Sequence, residues 1–463
     1  MKKTTLIIIL LYIILQAHAN ENTKVSPNGE KLEGAPTISL LTCYPGKQIY
    51  SLYGHTAIRY VNQDEGIDLV INYGLFDSNA PHFLAKFILG ETNYTVGALP
   101  YPFFIEEYRR ENRKVIEQEL NLTKEEITQI VKYIDNNLRP ENRSYNYNIF
   151  YKNCTTQARD AIFNNLNIQK ASPSGGRLEG APTYRSLLHQ YTQDHPWIQF
   201  GTDLLLGLKA DKQLTTTQRQ FLPIELMKQI DKLSSNQNLP LVKNKKTLIE
   251  SFPQLETTFA GRRELKIDAY GESLPQWGEV GGGSQLLSPS DSERCLLFPS
   301  ASDFQFPTPT QTAIIVLIIT IVITILQSKN IDFARRRRFA IAFPFGQRTS
   351  FHITARILDT LLLIICTVAG IILTVLAISK HPTTTANLII LTLNPLPATI
   401  IYQTIVNKQN KYTKNIWTIW SILIIITLIG NIIQKYPTAF NIFAIALLIR
   451  TTYNAYTSRR IDK

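Results

Sequence analysis

The chain has 463 residues, 44% of them hydrophobic, and a formal net charge of +12. That length excludes one small domain and suits two or three. The charge is uneven: residues 311–463 carry 16 Lys/Arg against 3 Asp/Glu, whereas 20–310 carry 30 against 33. The basic residues of the last third lie between long apolar runs instead of lining one face of a domain, which excludes a wholly soluble chain and argues against nucleic acid as a partner.

Lys2 and Lys3 precede an apolar run from Leu6 to Leu15, and Ala17-His18-Ala19 follows. The run is too short to span a bilayer comfortably, so residues 1–19 read as a signal peptide, with an uncleaved anchor as the alternative. Residues 20–36 then form a leader and 37–276 an exported, periplasmic domain. In that domain, strands are predicted near 37–43, 55–61, 68–74, 93–98 and 114–120. Helices are predicted near 80–90, 102–112, 123–138 and 154–166, with a mostly helical extension over 184–270. Strands first, with helices between and after, give an α+β class. The hexapeptide Leu-Glu-Gly-Ala-Pro-Thr occurs at 32–37 and 178–183, but two copies do not make a repeat architecture. Residues 277–310, opened by Gly281-Gly282-Gly283-Ser284, read as a linker.

Residues 311–463 read as an all-α, multi-pass transmembrane domain of about five helices. The segments are Thr312–Gln327, Leu358–Ser379, Asn387–Val406, Ile416–Gln434 and Thr438–Arg450. The loop after the first carries Arg335 to Arg338, and the loop after the third carries Lys408, Lys411 and Lys414. The tail carries Arg459, Arg460 and Lys463. The two other loops hold only Lys380 and Lys435. By the positive-inside rule the exported domain lies outside the inner membrane and the C-terminus in the cytoplasm. Asn394, Pro395 and Pro397 predict a kinked or broken third helix. Few charges are expected inside the bundle, Asp359 lying near a helix end, so it reads as an anchor and lipid platform and not as a transporter.

Two stretches carry chemistry. In Tyr53-Gly54-His55-Thr56-Ala57-Ile58-Arg59-Tyr60, a glycine precedes a histidine that opens an alternating strand. In Tyr147-Asn148-Ile149-Phe150-Tyr151-Lys152-Asn153-Cys154, Asn153 is a good N-cap, and a helix beginning at Cys154 would place the thiol at the positive end of the helix dipole. Such a thiol has a lowered pKa, and with a nearby imidazole it becomes a nucleophile. Of the other cysteines, Cys366 lies in an apolar segment, while Cys43 and Cys295 could pair in an oxidising compartment. Metal-site and nucleotide-binding motifs are not seen, and neither metal nor cofactor is expected.

The stretches YGHTAIRY, INYGLFD and YNYNIFYKNCTTQARD, together with FGTDLLLGLKADK and the C-terminal helices, resemble the Lnb-type lipoprotein N-acyltransferases over nearly the whole chain. The His-before-Cys order also resembles circularly permuted papain-like enzymes, among them lecithin:retinol acyltransferases. The resemblance implies a permuted papain-like fold for the exported domain, with His55 as general base and Cys154 as nucleophile. It implies a phospholipid acyl donor, a thioester intermediate and a diacylated lipoprotein acceptor. For the group that orients the imidazole, Asn72 is the first choice, with Asp77 and His82 as alternatives. Tyr53, Arg59, Tyr73 and Asn153 are candidates for lining the substrate pocket, Asn153 also for holding an oxyanion. Arg159 and Asp160 suit helix stabilisation. A membrane-anchored cysteine hydrolase (a cell-wall peptidase or a lipase) and a non-catalytic binding module are the alternatives.

Overall fold

The central feature of the computed structural model is a seven-stranded antiparallel sheet in the order β6-β4-β3-β2-β1-β5-β7. The structure describes residues 35–77, 80–166, 180–234, 239–251, 306–336, 345–406 and 410–458. The signal peptide, most of the leader, Cys295, most of the linker and the start of both hexapeptide copies lie outside them. The strands are β1 (Thr37–Cys43), β2 (His55–Asn62), β3 (Ile67–Leu75), β4 (Asn93–Pro100), β5 (Val115–Leu120), β6 (Ser144–Asn146) and β7 (Val242–Ile249). The last corrects the mostly helical extension: Val242–Ile249 pairs along β5 as an edge strand. Its Lys243, Lys245 and Lys246 form ion pairs with Glu119, Asp231 and Glu117, and lysine-rich edges discourage further strand pairing.

Both sheet faces are covered, so the interior strand β1 is buried nearly throughout. Side chains alternate between the faces. Ile38, Leu40, Ile58, Ile71 and Tyr73 form one face, packed against α3 (Lys124–Leu138), α4 (Cys154–Phe163) and α7 (Pro223–Ile230). Leu41, Cys43, Ala57 and Val70 form the other, beneath Phe104 and Tyr108 of α2 (Tyr101–Arg110). Helix α1 (Phe83–Leu89) lies between β3 and β4 in the chain. Helices α5 (Tyr184–Thr192) and α6 (Pro196–Leu205) are held by Arg185, whose buried guanidinium pairs with Asp203 and Asp211 and donates to the Leu206 carbonyl.

The C-terminal region is helical: α8 (Pro309–Arg336), α9 (Phe345–Ile378), α10 (Ala398–Ile405), α11 (Lys411–Gly430) and α12 (Thr438–Ser458). Among the described residues, the stretches Pro309–Lys329, His352–Ile378 and Lys411–Gly430 are long and apolar enough to cross a membrane. The third apolar segment is not one helix. A short 3-10 turn over Leu388–Leu391 is followed by a break and then α10. Prolines remove backbone donors there, and side chains satisfy the freed groups. Asn394 Nδ2 donates to Leu391 O at 2.7 Å, Asn394 Oδ1 accepts from Leu396 N at 3.0 Å, and Trp420 Nε1 donates to Thr392 O at 2.9 Å.

Buried charge inside the bundle is sparse among the described residues, but Asp359 lies well within α9 and not near its end. Asp359 and Arg450 form a buried ion pair at 2.7 Å, with Arg450 donating further to Thr324 and Gln327, and Asn454 donating to Asp359. The pair ties α8, α9 and α12 together. A buried charge survives only when paired and hydrogen-bonded, which accounts for three polar neighbours around one carboxylate and one guanidinium.

Two bundle loops dock on the sheet domain. After α9, Lys380 N donates to Leu89 O at 2.9 Å, His381 Nε2 to Phe87 O at 2.7 Å and Asn387 Nδ2 to Leu204 O at 2.7 Å. After α11, Gln434 Nε2 donates to Leu206 O at 3.1 Å, and Lys435 N to Asp211 Oδ2 at 3.2 Å. Near the start of α8, Trp197 Nε1 donates to Pro307 O at 3.1 Å. The start of α8 and the ends of α9 and α11 therefore share the face on which the sheet domain sits. A 20-residue helix is about 30 Å long, so α11 starts at the opposite face, and the broken segment carries the chain back across.

Candidate active site

The site is built where β2 begins and α4 begins. Gly54 has φ +78°, and a Cβ there would stand 2.6 Å from the Cys43 carbonyl oxygen, so the turn that launches β2 requires glycine. The next residue, His55, opens the strand opposite Cys43. On β3, Asn72 pairs in register with Ala57, and its Oδ1 lies 2.9 Å from His55 Nε2. Asn72 is buried. It therefore fixes the ring and directs the other nitrogen, Nδ1, away from itself.

Helix α4 starts at Cys154. Asn153 Oδ1 accepts from Thr156 N at 2.8 Å, and Thr156 Oγ1 accepts from Asn153 N at 2.8 Å, a reciprocal cap. Its Nδ2 donates to the carbonyls of Ile149 and Phe221, both at 2.8 Å. Cys154 is the first helical residue, at the positive end of the dipole. Gly74, at φ +90° on β3, lies beneath it: a Cβ there would come 3.5 Å from Cys154 Cβ.

The electrostatics separate two thiols. Burial would raise the Cys154 thiol, but the charge and hydrogen bond of His55, the Thr56 backbone N–H and the Thr155 hydroxyl outweigh it and bring the pKa down to about 7. Thr155 Oγ1 lies 3.7 Å from Cys154 Sγ and 3.1 Å from Thr56 Oγ1. The His55 imidazole feels burial as a downward push, but the Cys154 thiolate and the hydrogen bonds to Cys154 and Asn72 shift it upward overall. Cys43, wholly buried, goes the other way: burial pushes its thiol up to about 12 despite a bond to Tyr108. Cys43 is a free thiol, as are Cys154 and Cys366.

The structure thus brings Cys154, His55 and Asn72 together. Asp77 and His82 are exposed, His82 in a left-handed conformation just before α1, whereas the imidazole's partner is Asn72. The remaining expected residues divide. Tyr53 is half-buried, meeting Tyr191 edge-on at 6.0 Å. Arg59 is held by Asp68 at 2.6 Å and Glu117 at 3.2 Å and lies 3.5 Å over the Tyr101 ring. Tyr73 is 1% exposed, and its hydroxyl accepts from Asn137. Asn153 has both side-chain functions engaged in the cap and the loop. Arg59, Tyr73 and Asn153 thus have their polar atoms engaged in charge pairing, core packing and capping. Arg159 and Asp160 pair with each other at 2.6 Å.

Three features escaped sequence reasoning: the Thr56–Thr155 hydroxyl pair, the glycine floor at Gly74, and the stack of Tyr94 on Tyr147 at 4.2 Å. The one available signal was the glycine in Ile-Asn-Tyr-Gly, an unusual residue near the end of a strand. Among the described residues, no group of three or more His, Cys, Asp or Glu is placed to hold a metal ion.

Comparison with known families gives two matches. The family model described as the Lnb N-terminal periplasmic domain matches residues 34–190, and that described as the Lnb transmembrane domain matches residues 301–461. No curated protein and no solved structure matches the chain.

Proposed function

The chain belongs to the Lnb family, a membrane protein with a periplasmic N-terminal domain, and we propose that it is a lipoprotein N-acyltransferase working through a Cys154 thioester. The observation that carries the proposal is the Cys154 thiol at a helix N-terminus, hydrogen-bonded to His55 and lowered to about 7. In this reading the exported domain has a permuted papain-like arrangement, with the histidine strand ahead of the cysteine helix in the chain. It lies on the periplasmic side of the inner membrane, and the C-terminus lies in the cytoplasm.

His55 takes the thiol proton, and the thiolate attacks an ester carbonyl of a membrane phospholipid. The carbon–sulfur bond forms as the ester carbon–oxygen bond breaks. Imidazolium returns its proton to the departing lysophospholipid oxygen. The α-amine of a diacylglyceryl-cysteine then attacks the thioester. His55 accepts the amine proton and passes it to the departing sulfur, leaving an amide and a restored thiol. Asn72 keeps Nε2 occupied so that Nδ1 serves the thiol. The Thr56 N–H and the α4 N-terminus stabilise negative charge on sulfur. Water in place of the amine would make the same dyad a hydrolase.

The test is reconstitution of the full chain in phospholipid vesicles with a diacylated lipopeptide bearing a free N-terminus. The proposal requires an acyl-chain mass on the lipopeptide amine and an equivalent yield of lysophospholipid. Free fatty acid in place of the acylated lipopeptide would establish the hydrolase.

A further inference from the structure

We propose that a row of aromatic rings running from the docked end of α9 to the Cys154 region seats the acyl chain of a membrane lipid. The proposal deepens the acyl-transfer reading and rests on it. The row begins at the bundle with His381, whose ring meets Phe87 edge-on at 6.2 Å. Phe87 stacks on Phe83 at 6.2 Å, and Phe83 on Phe76 at 5.6 Å. Phe76 meets Tyr94 at 5.1 Å, and Tyr94 stacks on Tyr147 at 4.2 Å. Phe76 lies two residues beyond Gly74, the glycine that faces Cys154 Cβ at 3.5 Å.

Three properties select a lipid tail as the occupant. The first is continuity. His381 follows a helix long and apolar enough to cross a membrane, and it is pinned by its bond to Phe87 O at 2.7 Å. The other end of the row reaches the nucleophile's neighbourhood, so it joins a lipid source to the reacting atom. The second is exposure: Phe76 and Phe87 are 42% and 43% exposed and so open to a ligand, whereas Tyr94, next along the row from Phe76, is 7% exposed. Open rings at Phe87 and Phe76 beside a buried one at Tyr94 suit a chain laid along the row. The third is chemistry. Exposed clustered rings mark a contact surface, and stacked rings offer apolar area without the directional bonds that would select a peptide. The glycine floor leaves the carbonyl end of a seated chain room above Cys154.

The test uses the full-length Cys154→Ala protein in phosphatidylethanolamine vesicles containing the same lipid with a diazirine at its acyl terminus. After irradiation and peptide mapping, the label is expected on peptides containing Phe83 and Phe87, toward the bundle end of the row, because the carbonyl end sits by Cys154. Phe76→Asp, and separately Phe87→Asp, should reduce that label at least fivefold while the label on α8 is unchanged, the latter reporting intact membrane insertion. Label confined to the bundle helices, or label on the row unmoved by both substitutions, would overturn the proposal. Acylation of wild-type Cys154 is measured separately. Row labelling without a thioester refutes the transferase and spares the seat, and a thioester without row labelling does the reverse.

Discussion

His55 Nε2 stands 2.9 Å from Asn72 Oδ1, seventeen residues on in the chain and one strand across the sheet. The contact exists because β2 and β3 pair antiparallel with Ala57 opposite Asn72, which brings both polar side chains to the same face near the start of β2. Asn72→Ala removes the ring's partner at Nε2. A hydrogen bond of this kind contributes about 0.5–1.5 kcal/mol, so acylation of Cys154 should slow about two- to tenfold. Because the bond also raises the imidazole pKa, the His55 titration should move downward, as read by NMR of the imidazole.

The pH dependence of thiol reactivity follows from the Cys154–His55 pair. The folded thiol titrates at about 7 instead of its ordinary 9.0, so thiolate is lost as pH falls through 7. Below that point, alkylation by iodoacetamide should fall tenfold per pH unit. In His55→Ala only the Thr56 N–H and the Thr155 hydroxyl remain against burial, so the thiol pKa rises and alkylation at pH 7 should drop steeply. An unchanged profile in that variant would show that the helix terminus alone activates the sulfur. Cys43, at about 12, should remain unmodified throughout.

Gly54→Ala should destabilise the sheet domain and not merely slow it. The added methyl meets a backbone oxygen at 2.6 Å, and φ +78° disfavours any side chain. Strain of this type costs about 1–3 kcal/mol, readable as a lower denaturant midpoint by near-UV circular dichroism.

Within the bundle, Arg450→Met strands the Asp359 carboxylate in an apolar setting. Removing one partner of a buried pair costs about 3–5 kcal/mol, whereas replacing both by apolar residues is often near neutral. Thermal unfolding in detergent should therefore show Arg450→Met much less stable than the wild type, with Arg450→Met/Asp359→Leu recovering most of the loss. Additive losses would mean that the two residues do not act as a pair.

Much of the sheet was legible because its strands alternate or carry β-branched runs. The expected 37–43 is β1 itself, and His55, the residue that opens β2, was marked by the preceding glycine. The helix start at Cys154 was legible through Asn153, whose capping preference is local chemistry. β7 was not: Val-Lys-Asn-Lys-Lys-Thr-Leu-Ile reads as polar, and it is a strand through its pairing along β5, flanked by ion pairs to Glu119 and Asp231. β6 is three polar residues, too short for a pattern. The Asp359–Arg450 pair joins residues 91 apart, and no periodicity reports that distance. Arg59 looked like a pocket residue by its nearness to His55 in the chain, but on β2 it is claimed by Asp68 and Glu117. Nearness along a strand says little about which neighbours a long side chain will find.

The central claim is that Cys154 carries an acyl group during the reaction. The most direct measurement is the intact mass of the full-length protein taken from phospholipid vesicles, before and after neutral hydroxylamine. The account predicts an added acyl-chain mass that hydroxylamine removes and that Cys154→Ser lacks under the same treatment. An unmodified mass under conditions in which the lipopeptide amine is being acylated would contradict it.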